Sequence, residues 1–371
     1  APFTIFMGAS TGAMLGSAAG CALLSLLNPS LHGINLRDVH PQAFAIPLLV
    51  FAADAVERGR FGWCALALVA AAAGREDAAV AIVGFGVWLA LARRKWLAGA
   101  AVAAVAIALL AVDIRWVMPY FLGRPYTHFG RYTQLGDSLE AILVSPALRP
   151  RALLESLLTV ANARYLFLLL APLGFLPLLA PRTLAAAAPG LAINLLSLDP
   201  LLRIPRSQYT SFILPFLVLA AVDGYAALGR IAGGRRLLGR FSPAAALALA
   251  AVVSVTLTAR TVNELTVTRW WPTAERRAIH RVIAQVPPMA VVTANERFVP
   301  HVARRPKVFR TREEGLSRGE WVLEYERLLR GTDGFEVVVR RGGVVLLRAV
   351  RGDRAAPFPL FPAPRFTTLP R

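Results

Sequence analysis

Two short stretches carry residues able to do chemistry. In LRDVHPQAFAIP (36–47), Asp38 and His40 stand at the lip of an apolar segment; in GRED (74–77), Arg75, Glu76 and Asp77 open another. A carboxylate beside an imidazole suits proton transfer or metal ligation. Two adjacent carboxylates with an arginine at membrane depth must be paired or used, because charge is costly there. The plainer role for each is helix capping: Pro41 fits a first helical position, and acidic groups complement the positive end of a helix. Arg203 and Arg206, ahead of SQYTSFILPFL (207–217), offer paired N–H donors for a phosphate, or anchors for lipid headgroups. Asn194 and Ser197 fit hydrogen bonding between helices. No phosphate-cradling glycine loop, dinucleotide fingerprint or zinc spacing is present.

The elements that must position these groups are oily. The 371 residues are 56% hydrophobic and 17% charged, with mean hydropathy +0.54. Such values leave too little polar surface to cover a soluble core, so the chain reads as a polytopic membrane protein. A span needs about 20 apolar residues, which predicts about nine spans, at 3–27, 42–56, 61–74, 78–92, 97–119, 164–180, 184–198, 209–229 and 242–260. The start at Ala1, almost inside an apolar run, suggests a piece of a longer protein, and no basic n-region or cleavage site of a signal peptide is visible ahead of that run.

Basic loops set the orientation. ERGR (57–60), RRK (93–95), PRT (181–183) and GRIAGGRRLLGR (229–240) alternate with the spans onto one side, expected to be the cytoplasm of an inner membrane. The outer face then receives Asp38, His40, Glu76, Asp77, His128, Asp137 and Arg206. The formal net charge of +19 is almost all arginine, with lysine only at Lys95 and Lys307. No basic run is interleaved with aromatics, so nucleic acid is not an expected partner. Cys21 and Cys64 lie inside apolar segments and read as small hydrophobes.

Segment 120–163 is too long for a turn. Tyr126, His128, Phe129, Arg131 and Tyr132 suit a membrane interface, and leucines at helical spacing follow, which predicts amphipathic helices on the outer leaflet. The last hundred residues change character. Strand, short helix and strand are expected over 290–309, strand then helix over 320–330, and a hairpin over 335–349 turning at Arg341–Gly342–Gly343. The expected organisation is thus a helical membrane domain (1–260), a small extracytoplasmic α/β domain (261–351) and a Pro-rich tail (352–371).

The stretches LRDVHPQAFAIPLLVFA, GREDAAVAIVGFGVWLALARRK, RYTQLGDSLEAILVSP, NLLSLDPLLRIPRSQYTSFILPFLVLAA and VVTANERFVPHVARRPKVF occur in an order that resembles the predicted membrane proteins of domain-of-unknown-function family 2079. That family is grouped with the type C glycosyltransferases. The resemblance implies a multi-span enzyme transferring a sugar from a polyprenyl-phosphate donor to a cell-envelope acceptor on the outer face. It implies acid–base or metal roles for Asp38, His40, Glu76 and Asp77, with a divalent cation compatible with that set. It implies phosphate or substrate contacts for Arg75, Arg206, Tyr209, Tyr126, His128, Arg131 and Tyr132. Three departures stand out: Gln42 replaces a family glutamate, Gln208 replaces a histidine between aromatics, and the acidic first outer loop of type C enzymes falls upstream of Ala1. The alternatives are a transporter or lipid-handling protein, in which the same groups line a path, and a non-catalytic envelope scaffold.

Overall fold

The computed structural model describes residues 27–36, 40–123, 128–136, 138–234, 243–263, 273–311, 319–329, 332 and 334–350. Asp38, Tyr126, Asp137, the His128 side chain, the span expected at 3–27 and the Pro-rich tail lie outside them. The chain divides into two compact units after Leu265.

The first unit is helical. In chain order it contains α1 (Pro29–Leu36), α2 (Ala45–Glu57), α3 (Phe61–Ala72), α4 (Ala78–Leu91), α5 (Trp96–Val112), α6 (Leu139–Leu148), α7 (Pro150–Leu157), α8 (Val160–Leu170), α9 (Ala188–Leu196), α10 (Leu214–Gly234) and α11 (Pro243–Asn263). Local chemistry sets several ends. Ser138 and Thr159 accept from backbone N–H groups of Ala141 and Asn162 and start α6 and α8. Gly59, at φ 68°, ends α2 while its N–H and that of Arg60 turn back to Val56 and Ala55. Its core gathers Leu49, Phe85, Trp88, Tyr165, Ile213 and Phe216. Helices α4 and α5 meet backbone to backbone: a Cβ on Gly86 would lie 2.6 Å from the Gly99 carbonyl oxygen, and one on Gly99 2.5 Å from that of Gly86. Small residues let helices approach in this way where water does not drive association.

The expected spans meet the structure unequally. Those at 42–56, 61–74, 78–92, 97–119, 209–229 and 242–260 fall on helices. The runs at 164–180 and 184–198 are not single helices: after Leu170 the chain passes through 3₁₀ turns at Ala171–Leu173 and Leu176–Leu179 with left-handed Gly174 and Phe175 between them, and Pro189 sits in the first turn of α9. Pro172, Pro177 and Pro181 remove the donors a continuous helix needs. Ser254 of α11 donates to one of the freed carbonyls, that of Pro172, at 2.9 Å.

Among the described residues, Trp96–Leu122 alone is a helix long and apolar enough to cross a membrane by itself. Pro150–Leu157 and Val160–Leu173 together would qualify, bent by 55°. Leu97, Val105, Ile107 and Leu109 on α5 are exposed. Trp96 marks one end, and Trp116, Tyr120 and Phe121 the other. Trp96 to Trp116 is about 30 Å at 1.5 Å per residue, the thickness of a hydrocarbon core, so the rings fall where interfacial aromatics belong.

The second unit contains α12 (Ala274–Ile283), β1 (Val291–Ala294), α13 (Val299–Val302), β2 (Lys307–Arg310), β3 (Trp321–Tyr325), β4 (Phe335–Arg341) and β5 (Val344–Ala349). Its five strands run in the order β2-β1-β3-β5-β4, parallel for β2, β1 and β3 and antiparallel for β3-β5-β4. The hairpin turns at Gly342 and Gly343, both left-handed (φ 62° and 71°) as a two-residue turn of the mirror type requires. Val344 and Leu346 face the α12 side with Val292, Leu323 and Val282, while Val345 and Leu347 pack with Val322 on the other. Residues 335–349 and 290–309 take the elements expected of them. Helix α12, capped by Thr273, had no counterpart in the sequence reading.

Candidate functional site

The loops of the helical unit fall into two groups. At one end Arg93 pairs with Glu57 and, at 3.5 Å, with Asp223, whose other contact is the Thr183 hydroxyl at 2.5 Å. Three of the four basic loops are therefore tied together.

The other group holds the candidate site. Gly74 lies against the carbonyl of Pro41, which a Cβ there would approach to 3.2 Å, so the GRED corner packs on the HP corner of 40–41. From Gly74 the chain turns directly into α4, which puts Arg75, Glu76 and Asp77 at its mouth. Arg75 Nε lies 3.4 Å from Glu76 Oε1 and 3.3 Å from Asp77 Oδ1. The second contact is an ion pair without hydrogen-bond alignment, since Asp77 Oδ1 is buried and makes no hydrogen bond. Burial pushes the Asp77 carboxyl up to about 7; the Arg75 charge opposes that rise and the Glu76 charge adds to it. Burial works against the Arg75 guanidinium too, but Asp77 and Glu76 hold it above its ordinary value.

Segments distant in sequence close on this triplet. The 3₁₀ turn Gln208–Phe212 packs against the turn Pro41–Phe44 and against α4. Its Tyr209 ring lies under the Arg131 guanidinium, 5.6 Å from the centroid. Arg131 Nε is 3.4 Å from Asp199 Oδ2, and the Arg131 carbonyl accepts from the Leu198 N–H at 2.8 Å. Tyr132 donates to the Ile193 carbonyl at 3.1 Å, and burial pushes its phenol up to about 12, so it stays a donor. Gln134 ties the same loop to the Leu196 carbonyl at 2.6 Å. Asp77 and Arg131 lie within electrostatic reach of each other, as do Arg75 and Tyr209.

Beneath the site, Asn194 donates to the Tyr165 hydroxyl at 2.8 Å, and that hydroxyl lies 3.4 Å from Thr210 Oγ1. All three residues are buried. This chain links α9 and α8 to the turn that carries Tyr209. Asn194→Leu removes the amide that donates to the Tyr165 hydroxyl and to the Tyr209 carbonyl, leaves Tyr165 only its longer contact with Thr210, and should cost about 1–3 kcal/mol. Thermal unfolding in detergent checks this; an unchanged midpoint would show that the chain does not hold the turn.

Of the residues singled out from sequence, Arg75, Glu76, Asp77, Arg131, Tyr132 and Tyr209 come together. His40 is half-buried at the start of the turn Pro41–Phe44, and its side chain does not cap that turn. Arg206 points elsewhere: its guanidinium donates to the Leu257 carbonyl of α11, and its backbone presses on Gly33 of α1. That contact braces α11 with one N–H of the guanidinium. Arg203 likewise donates to the Ser197 carbonyl at 2.8 Å.

Sequence reasoning missed Asp199, the counter-ion of Arg131, and the buried hydroxyls of Ser207 and Ser211. Gln42, known only as a family departure, is 1% exposed, and neither amide atom has a hydrogen-bond partner; nor do Ser207 Oγ and Ser211 Oγ. Polar residues beside Pro41 and Pro200, in segments otherwise apolar, were the available signal. No three His, Cys, Asp or Glu side chains among the described residues could hold a metal ion. Two carboxylates wrapped round one guanidinium do not fit a divalent cation.

A family described as "Predicted membrane protein (DUF2079)" matches residues 7–329. No curated protein and no solved structure matches the chain.

Proposed function

We propose, for a chain that belongs to the DUF2079 family of predicted membrane proteins, a type C-like glycosyl transfer on the outer face of the inner membrane, with the second unit on that same side. The donor would be a polyprenyl-phosphate sugar and the acceptor a hydroxyl of the cell envelope. The observation that carries this reading is the convergence of Arg75, Glu76 and Asp77 with Arg131, Tyr132, Asp199 and Tyr209 at one end of the helices, opposite the end where Arg93 ties the basic loops. By the positive-inside rule the basic end is cytoplasmic.

In such a transfer the acceptor oxygen attacks the anomeric carbon and the bond from that carbon to the phosphate oxygen breaks. The acceptor proton goes to a carboxylate and the charge of the leaving phosphate goes to cations. A carboxyl near 7 is matched to taking and returning a proton at neutral pH. Arg131 and Arg75 already face carboxylates; a phosphate would compete for their N–H groups. Tyr209 offers an aromatic face and Tyr132 a permanent hydroxyl beside them.

The test is transfer of labelled sugar from polyprenyl-phosphate donors by the longest natural form of the chain in vesicles. Arg131→Gln is expected to weaken transfer about 100-fold, the cost of losing one charge-stabilising donor. Wild-type turnover in Arg131→Gln would sink the site assignment, and no transfer with any donor tried would sink the reaction.

A further inference from the structure

The second unit carries a basic face that the proposed transfer does not use. Helix α12 (AERRAIHRVI) buries Ala278, Val282 and Ile283 against the sheet and turns Arg277, His280 and Arg281 outward. Helix α13 continues that surface. The rings of His280 and His301 meet edge to face at 5.2 Å, and Arg305 donates to the Val286 carbonyl at 2.7 Å, fixing the start of the segment Arg304–Lys307 beside the end of α12. Arg304 and Lys307 are exposed. Lys307 pairs in register with Val291, so β1 and β2 start at the same end of the unit as the turn that carries Met289, an apolar side chain 80% exposed. Among the described residues of these two helices and their flanking turns, the acidic side chains are Glu275 and Glu296 alone, and each lies at the end of its element away from Met289. The end of α12, the turn before β1 and the start of β2 thus bring cations and a projecting methionine to one end of the unit.

We propose that this face docks on the anionic lipid headgroups of the bilayer that holds the helical unit, with Met289 entering the interface. Charge complementarity selects an anionic partner. The tether selects the membrane: only residues 264–272 join Asn263 of α11 to Thr273, at most about 3.5 Å of chain each. Cations grouped with an exposed flexible apolar side chain are the arrangement of an interfacial anchor. Nucleic acid fits less well, because among the described residues no exposed Phe, Tyr or Trp ring lies among these cations to stack a base.

The experiment uses the full chain in nanodiscs, with Cys21→Ala and Cys64→Ala, and a single thiol introduced as Met289→Cys. Labelling by a water-soluble maleimide is timed in phosphatidylcholine discs with and without phosphatidylglycerol. Each basic residue near an anionic surface shifts binding about fivefold. The thiol is therefore expected to react about tenfold or more slowly in anionic discs, and to recover in high salt or with Arg277→Gln, Arg281→Gln and Lys307→Gln together. Val338→Cys, on β4, reports the fold of every variant and should label equally in both discs. Equal rates at residue 289 in the two discs would overturn the proposal, as would protection that persists in high salt. Protection in neutral discs only on adding an oligonucleotide would assign the face to nucleic acid instead.

Discussion

Asp77→Asn is expected to remove the slope of stability against pH between about pH 4 and pH 7, and to cut the proposed transfer by about 100-fold or more. The sign follows from the buried carboxyl. Its value rises from 3.8 to about 7 on folding, so between those limits the folded protein holds a proton that the unfolded chain has released. The stability gained by holding it is complete below pH 4 and is lost as pH rises through about 7. Wild type should therefore be most stable, as far as this group is concerned, in mild acid, and level off above about pH 8. Asparagine keeps the size and a polar end but cannot titrate, and the curve flattens. Chemical or thermal unfolding in detergent at a series of pH values measures this directly. A variant with the wild-type slope would show that burial of Asp77 does not govern it. Activity and stability respond in opposite senses here, since asparagine cannot carry a proton, and that separates a catalytic role from a structural one.

Gly224→Ala is expected to break the helical unit. A Cβ on Gly224 would fall 1.9 Å from the Leu176 carbonyl oxygen and 2.8 Å from its carbon. Those are backbone atoms of the turn Leu176–Leu179, so no side chain can swing aside, and α10 must part from the turn it packs on. Overpacking that cannot relax costs about 3 kcal/mol or more, enough to abolish a marginal fold. Gly229, on the same helix, has nothing within 4 Å of its would-be Cβ. There alanine should be neutral or stabilising by up to about 1 kcal/mol, because helix propensity improves. Yield of monodisperse protein and the unfolding midpoint compare the two. Equal behaviour would mean that α10 does not depend on this contact.

How far the candidate site could be read from residues depends on how local each part is. Arg75, Glu76 and Asp77 are neighbours in sequence, and one helix start places all three. Arg131 and Asp199 are far apart in the chain, and nothing near either one names the other. Arg206 shows the converse: nothing beside this proline-flanked cation in the sequence announces that the packing of α11 offers it the Leu257 carbonyl.

The sequence by itself determined that the chain is helical and membrane-bound in character, that three of its four basic loops share an end, and that a strand-rich unit with a two-glycine hairpin follows. Composition, apolar run length and turn residues act over a few neighbours, and these properties need no more than that. The tertiary structure alone decided where the runs at 164–180 and 184–198 break into turns, and how β1, β2 and β3 lie parallel. It also decided which arginine meets which carboxylate. Each of those is a contact between segments remote in the chain, chosen by what buries and satisfies the most groups at once, and no window of neighbouring residues contains that choice.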